Sequence, residues 1–208
     1  MHTKMIFVCS PNNPTGNSIN RQDIETLLIN FKGLVVVDEA YINFSKQQSF
    51  TKDLAEFPNL VILQTLSKAW GLAALRLGMA FASKEIIAVF NKIKPPYNIN
   101  QATQDLVLKA LDQVDVVNEW IKATVVEREA LVEALLTIEQ IVAIIPSDAN
   151  FILAKLAEPR ELYNFLVNQG IIVRDRSKVE LCEGCLRITV GTPDENIKLL
   201  AAIKQFYN

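Results

Sequence analysis

The stretch MIFVCSPNNPTGNSINRQDIETLLINFKGLVVVDEAY, residues 5–41, decides the fold. It opens and closes on short apolar runs, Met5–Cys9 and Leu34–Val37, each followed at once by polar residues. Between them Asn20 can cap a helix on which Ile24, Leu27, Leu28 and Phe31 fall at i, i+3, i+4 and i+7, and Gly33 is expected to end it. Strand, helix and strand in this order form a βαβ unit, whose polar strand ends are where ligands bind in such sheets.

Working outward, Leu60–Leu63 and Leu77–Ala82 read as two further strands, so the first part is expected to be α/β with a mostly parallel sheet. Lys94-Pro95-Pro96-Tyr97 interrupts the pattern, because paired prolines remove backbone donors and forbid a continuing helix. A partial large domain over residues 1–96 and a smaller α+β domain over 97–208 are therefore expected. In the second, Asn100 can cap a helix carrying Val107, Ala110, Leu111 and Val114, and a longer helix is expected from about Val116 to Thr137. Strands are expected at Ile141–Ile145, Phe151–Leu156, Ile171–Val173 and Leu186–Val190, with a helix over Pro159–Asn168. Thr192-Pro193-Asp194-Glu195 has the form of a capping box for a last helix, with Ile197, Leu200, Ile203 and Tyr207 on its buried face.

Composition narrows the function. Of 208 residues, 50% are apolar, ample for a core, and 21 basic and 23 acidic residues are interspersed with a net charge of −2. No basic stripe points to nucleic acid or a membrane surface, and no run approaches a membrane span, so a cytoplasmic protein with a small-molecule ligand is expected. Cys182-Glu183-Gly184-Cys185 has metal spacing, but Cys9 is distant and His2 is the only histidine. Four ligands are not at hand, so no metal is expected and the pair reads as an incidental surface turn.

The polar residues beyond the strand ends form a chemical set. Lys68, in Thr65-Leu66-Ser67-Lys68, has an amine that can form a Schiff base with an aldehyde. Thr65, Ser67 and Arg76 offer hydroxyls and a guanidinium for a phosphate dianion. Asp38 supplies a carboxylate that would keep a pyridine nitrogen protonated, and Tyr41 and Asn13 add a phenol and an amide. Taken singly, each is an ordinary surface or turn residue; taken together, in this order, they suit pyridoxal 5'-phosphate.

On these motifs the chain resembles the fold-type I pyridoxal-phosphate-dependent aminotransferases, and within them the branch acting on histidinol phosphate. The resemblance runs from about Thr3 to Asn208 and includes Leu186-Arg187-Ile188-Thr189-Val190-Gly191. It implies that Lys68 is the catalytic lysine and binds the cofactor, that Asp38 pairs with the ring nitrogen, that Asn13 and Tyr41 bond the ring oxygen, and that Thr65, Ser67 and Arg76 bind the phosphate. It further implies that Arg187 holds the substrate carboxylate and that Arg174 joins it on a substrate phosphate. An amino donor, a 2-oxo acid such as 2-oxoglutarate, and a homodimer are the partners implied. Family members carry a substantial portion before the stretch matching Met5, so a truncated chain with little activity of its own is expected. Aromatic or aspartate aminotransferases, a threonine-phosphate decarboxylase, and a non-catalytic dimerisation remnant are the alternatives.

Overall fold

The structure, a computed structural model, describes residues 2–208, and its chain falls into two compact units. The first holds residues up to Pro11 and Ser18–Trp120; the second holds Asn12–Asn17 and Ile121–Asn208. By packing, the first unit thus continues past the proline pair to Trp120.

The first unit contains β1 (Met5–Cys9), α1 (Arg21–Asn30), β2 (Leu34–Asp38), β3 (Leu60–Thr65), β4 (Gly78–Ala82), α2 (Lys84–Ile93) and α3 (Gln101–Leu111). Its sheet has the order β1-β2-β3-β4, with β1, β2 and β3 parallel and β4 antiparallel to β3. The expected βαβ unit is present, and Val8, Val37 and Ile62 lie in register across its three parallel strands. They share a core with Ile24 and Leu28 of α1, which are buried at the helical spacing read from the sequence. The Asn20 carboxamide caps α1 by accepting from Gln22 N at 2.9 Å.

Gly33 does not end α1 as expected, since Phe31 is the C-cap, in extended conformation. Gly33 is instead needed where β1 begins, because a Cβ there would collide with the Lys4 carbonyl, whose oxygen accepts from Leu34 N at 3.0 Å. The sequence reading also passed over α2, which starts at a Ser83 cap and stops at Lys94 in front of Pro95.

Helix α4 (Val114–Leu136) crosses from the first unit into the second. The second unit then holds β5 (Ile141–Ile145), β6 (Phe151–Leu156), α5 (Pro159–Asn168), β7 (Arg174–Asp175), β8 (Cys185–Thr189) and α6 (Pro193–Tyr207). Its sheet is antiparallel with the order β5-β6-β8-β7. Leu131 and Leu135 of α4, Leu162 and Leu166 of α5, and Leu199 and Ile203 of α6 pack with Ile152, Leu186 and Ile188 of the sheet.

Three expectations are corrected here. Ile171–Val173 is not a strand: Ile171 N bonds back to Leu166 O at 2.9 Å, closing α5, and the strand begins at Arg174. On α6, Ile203 is buried and Leu200 and Tyr207 pack partly buried against the core as expected, but Ile197 is 63% exposed, and Asn196, Leu199 and Ala202 are buried instead. The Cys182–Cys185 turn is not superficial, since both thiols are buried beside Leu153, and burial pushes the Cys185 thiol up. Among the described residues there is no group of three or more His, Cys, Asp or Glu arranged to hold a metal, and no helix long and apolar enough to cross a membrane.

Candidate active site

In the first unit the polar residues gather where β2 and β3 end. Asp38 is the last residue of β2, and its carboxylate accepts from Ala40 N at 3.0 Å, shaping the turn that carries Tyr41. Tyr41 is buried, and the exposed Lys68 places its Nζ 5.2 Å from the centre of the Tyr41 ring. That is a cation–π distance, so the amine is held over an aromatic face.

Just before Lys68, Thr65 Oγ1 lies 2.9 Å from Ser67 Oγ, accepts from Ser67 N at 3.1 Å and donates to Leu77 O at 3.2 Å. Two hydroxyls are thereby clustered at the end of β3. Arg76 follows the short helical turn Ala73–Leu75 in a left-handed conformation, φ 54°, with its Nη1 donating to Ala73 O at 2.9 Å. Such a backbone costs a non-glycine residue about 1–3 kcal/mol and is often found where a side chain must be aimed.

Glu39 takes part in this arrangement although sequence reasoning assigned it no role. It is 1% exposed, and its carboxylate accepts from Phe50 N at 2.8 Å, Ser49 Oγ at 2.6 Å and Gln64 Nε2 at 2.8 Å. Gln64 directly precedes Thr65, so Glu39 ties the turn after β2 to the end of β3. The available signal was an acid immediately after an apolar strand, which does not distinguish a buried bracket from a surface carboxylate.

The second unit brings together Asn13, Arg174 and Arg187. Arg187 Nη1 donates to Asn13 Oδ1 at 2.7 Å, and the guanidinium carbon stands 5.0 Å from the centre of the Phe151 ring. Arg174 on β7 lies directly opposite Arg187 on β8 in the antiparallel register. Two like charges in facing positions repel, and a doubly charged anion bound to both would remove that penalty.

The donor set fits a phosphorylated pyridine aldehyde. Paired hydroxyls and a guanidinium suit its phosphate, an amine suits its carbonyl, and a carboxylate at a strand end suits its ring nitrogen.

Known proteins are similar to this chain over nearly its whole length. A histidinol-phosphate aminotransferase from Cytophaga hutchinsonii is 53% identical over 205 residues, which are 99% of this chain and 59% of that protein. The chain thus spans about three-fifths of the length of that relative. The solved histidinol-phosphate aminotransferase from Clostridium acetobutylicum matches with a TM-score of 0.91 at 25% identity, over 98% of this chain and 64% of that one. The L-threonine-O-3-phosphate decarboxylase from Porphyromonas gingivalis matches with a TM-score of 0.84 at 25% identity, over the same shares. Since the model of the aminotransferase class I and II family matches residues 1–203, the chain belongs to that family.

Proposed function

We propose that this chain carries the cofactor and substrate residues of a pyridoxal-5'-phosphate-dependent histidinol-phosphate aminotransferase that uses 2-oxoglutarate and glutamate as the second pair. When bound, the cofactor supplies a protonated ring that withdraws electrons from the substrate α-carbon. Lys68 anchors it through the amine and, once released, moves a proton to and from that carbon as general acid and base. Asp38 keeps the proton on the ring nitrogen, Tyr41 and Asn13 bond the ring oxygen, and Thr65, Ser67 and Arg76 hold the phosphate. Arg187 takes the substrate carboxylate, and Arg174 with Arg187 takes the phosphate ester. The working form is a homodimer; the exposed Leu106, Leu108 and Leu111 on α3 favour self-association.

The observation that carries the substrate choice is the facing pair Arg174 and Arg187. A fork of guanidinium donors on each of two paired strands suits a phosphate monoester better than one carboxylate. The same pair would suit a phosphorylated amino acid, and the Porphyromonas gingivalis relative is named for acting on one. Release of carbon dioxide from threonine phosphate, without amino transfer to 2-oxoglutarate, would favour that second reading.

Two measurements test the proposal. Borohydride reduction with pyridoxal phosphate, followed by peptide mapping, is expected to label Lys68, and label on another lysine would reject the assignment. In an enzyme with its N-terminal portion restored, Arg174→Ala is expected to weaken use of histidinol phosphate by about 1.5–3 kcal/mol in kcat/KM and use of glutamate by less. Equal losses would remove Arg174 as the residue that distinguishes the substrates.

A further inference from the structure

We infer that Arg128 is a positioning residue for Arg187, acting through the loop of residues 147–150 and the turn of residues 12–17. The substrate role of Arg187 rests on the reading above, whereas the positioning itself is a property of the second unit alone.

Arg187 is aimed by two neighbours, the Asn13 carboxamide at 2.7 Å and the Phe151 ring at 5.0 Å. Both are fixed by one loop. Ser147 Oγ donates to Phe151 O at 2.6 Å and accepts from Ala149 N at 3.1 Å, which seats the start of β6. Asp148 N donates to Gly16 O at 2.7 Å, which docks the turn bearing Asn13. That turn is closed on itself by Gly16 N to Asn12 O at 2.8 Å and Asn12 N to Asn17 O at 2.9 Å, so Gly16 and Asn13 move together. Gly16 is buried at φ +84°, and a Cβ there would stand 2.9 Å from Ser147 Cβ, so the loop and the turn meet with no space for a side chain.

The loop in turn hangs on Arg128. This α4 residue is 4% exposed, and its Nη1 donates to Ala149 O at 2.8 Å, at the centre of the loop. Burying a guanidinium is costly, and an apolar residue would fill a helix face more cheaply. What the charge supplies here is a strong, directional hold on a backbone carbonyl, and that carbonyl lies between the two contacts that orient Arg187.

The test compares Arg128→Met, Arg128→Lys and Gly16→Ala in the full chain. Gly16→Ala displaces the same turn without touching Arg128, and Arg128→Lys keeps a charge and one donor. The first readout is the rate at which an arginine-selective dicarbonyl reagent modifies Arg187, with Arg174 on the neighbouring strand as internal reference, followed by peptide mass spectrometry. Arg187 is expected to react several-fold faster in Arg128→Met and in Gly16→Ala, with Arg128→Lys between them and the original chain, while Arg174 stays unchanged. An unchanged Arg187, or Arg174 and Arg187 accelerating together as in general loosening, would overturn the inference. Should Arg128→Met fail to fold, the other two variants decide the matter in the same way. The second readout is steady-state transamination by each variant joined to the N-terminal portion that its relatives carry, where the KM for the amino donor is expected to rise more than kcat falls, and wild-type KM values in all three variants would also overturn it. Absence of transamination in a parent enzyme joined to the N-terminal portion that its relatives carry would count against the functional reading, and Arg187 reactivity would still decide this one.

Discussion

The first sheet delivers its polar residues at the ends of parallel strands, whereas the second presents Arg187 from the middle of β8, with Arg174 facing it from the short antiparallel edge strand β7. A strand end hands its residue to a loop, and a loop has no ladder to hold it, so the first unit uses side chains as brackets: Glu39 on Gln64, Asp38 on Ala40, Thr65 on Ser67. A residue within a ladder is placed by its neighbours' hydrogen bonds and needs only its tip aimed. The two units also differ in cover. Phe7 on the edge strand β1 is 66% exposed and Met5 41%, while the β6 and β8 residues that face the second core are sealed by three helices. Placement in the first unit therefore depends on a few polar contacts, and in the second on the apolar core behind the sheet.

The most direct way to break this comparison is to make the same change in both cores. Ile62→Ala in β3 and Ile188→Ala in β8 remove side chains that are 0% and 1% exposed, and each is expected to cost about 2–5 kcal/mol. Both tryptophans, Trp70 and Trp120, lie in the first unit. Ile62→Ala should therefore lower the denaturant midpoint seen by tryptophan fluorescence, and Ile188→Ala should chiefly speed amide exchange in β6 and β8. Equal shifts of the tryptophan midpoint by both variants would show one cooperative unit and remove the contrast.

A smaller effect is expected from the bracket in the first unit. Glu39→Ala leaves Phe50 N without its acceptor in a buried place and Gln64 Nε2 with Ser49 Oγ at 3.2 Å, at a cost of about 1–3 kcal/mol. Glu39→Gln keeps one acceptor oxygen and should lose less. The sharper expectation is local: Glu39→Ala should weaken pyridoxal phosphate binding, read by quenching of tryptophan fluorescence, and leave the exchange rates of β6 and β8 as they were. Unaltered binding would make Glu39 a purely structural residue.

These contrasts were unevenly legible in the sequence. Leu34–Val37 and Leu60–Leu63 read as strands because buried parallel strands are apolar on both faces, and their ends pointed to Asp38 and Lys68. Strand direction leaves no such mark, so the antiparallel placement of β4 had to be seen. Ile171–Val173 has the composition of a strand, yet a short apolar run that closes a helix has the same composition, and here Ile171 closes α5. The meeting of Asn13 and Arg187, 174 residues apart, and the hold of Arg128 on Ala149 are products of packing that no local pattern encodes.

The finest test of the contrast lies at two helix starts. Helix α1 of the first unit is capped by the Asn20 carboxamide, which does not titrate, whereas α6 of the second is capped by Thr192 and Glu195 together. Glu195 Oε2 accepts from Thr192 N at 2.8 Å and from Thr192 Oγ1 at 3.0 Å, and these bonds hold its carboxyl below the usual carboxylate range. A carboxyl whose pKa is lower in the folded state stabilises that state above its unfolded pKa, and the contribution disappears as pH falls through the folded value. Acidification through the carboxylate range should therefore fray the first turn of α6, raising amide exchange there, while the Gln22 amide bonded to Asn20 keeps its protection. In Glu195→Gln the protection at Thr192 should lose its dependence on pH, because the amide cannot change charge. The effect is small, since the group is fully exposed and screened by solvent. An acid response of equal size at both helix starts would assign it to general charge repulsion instead of to the capping box.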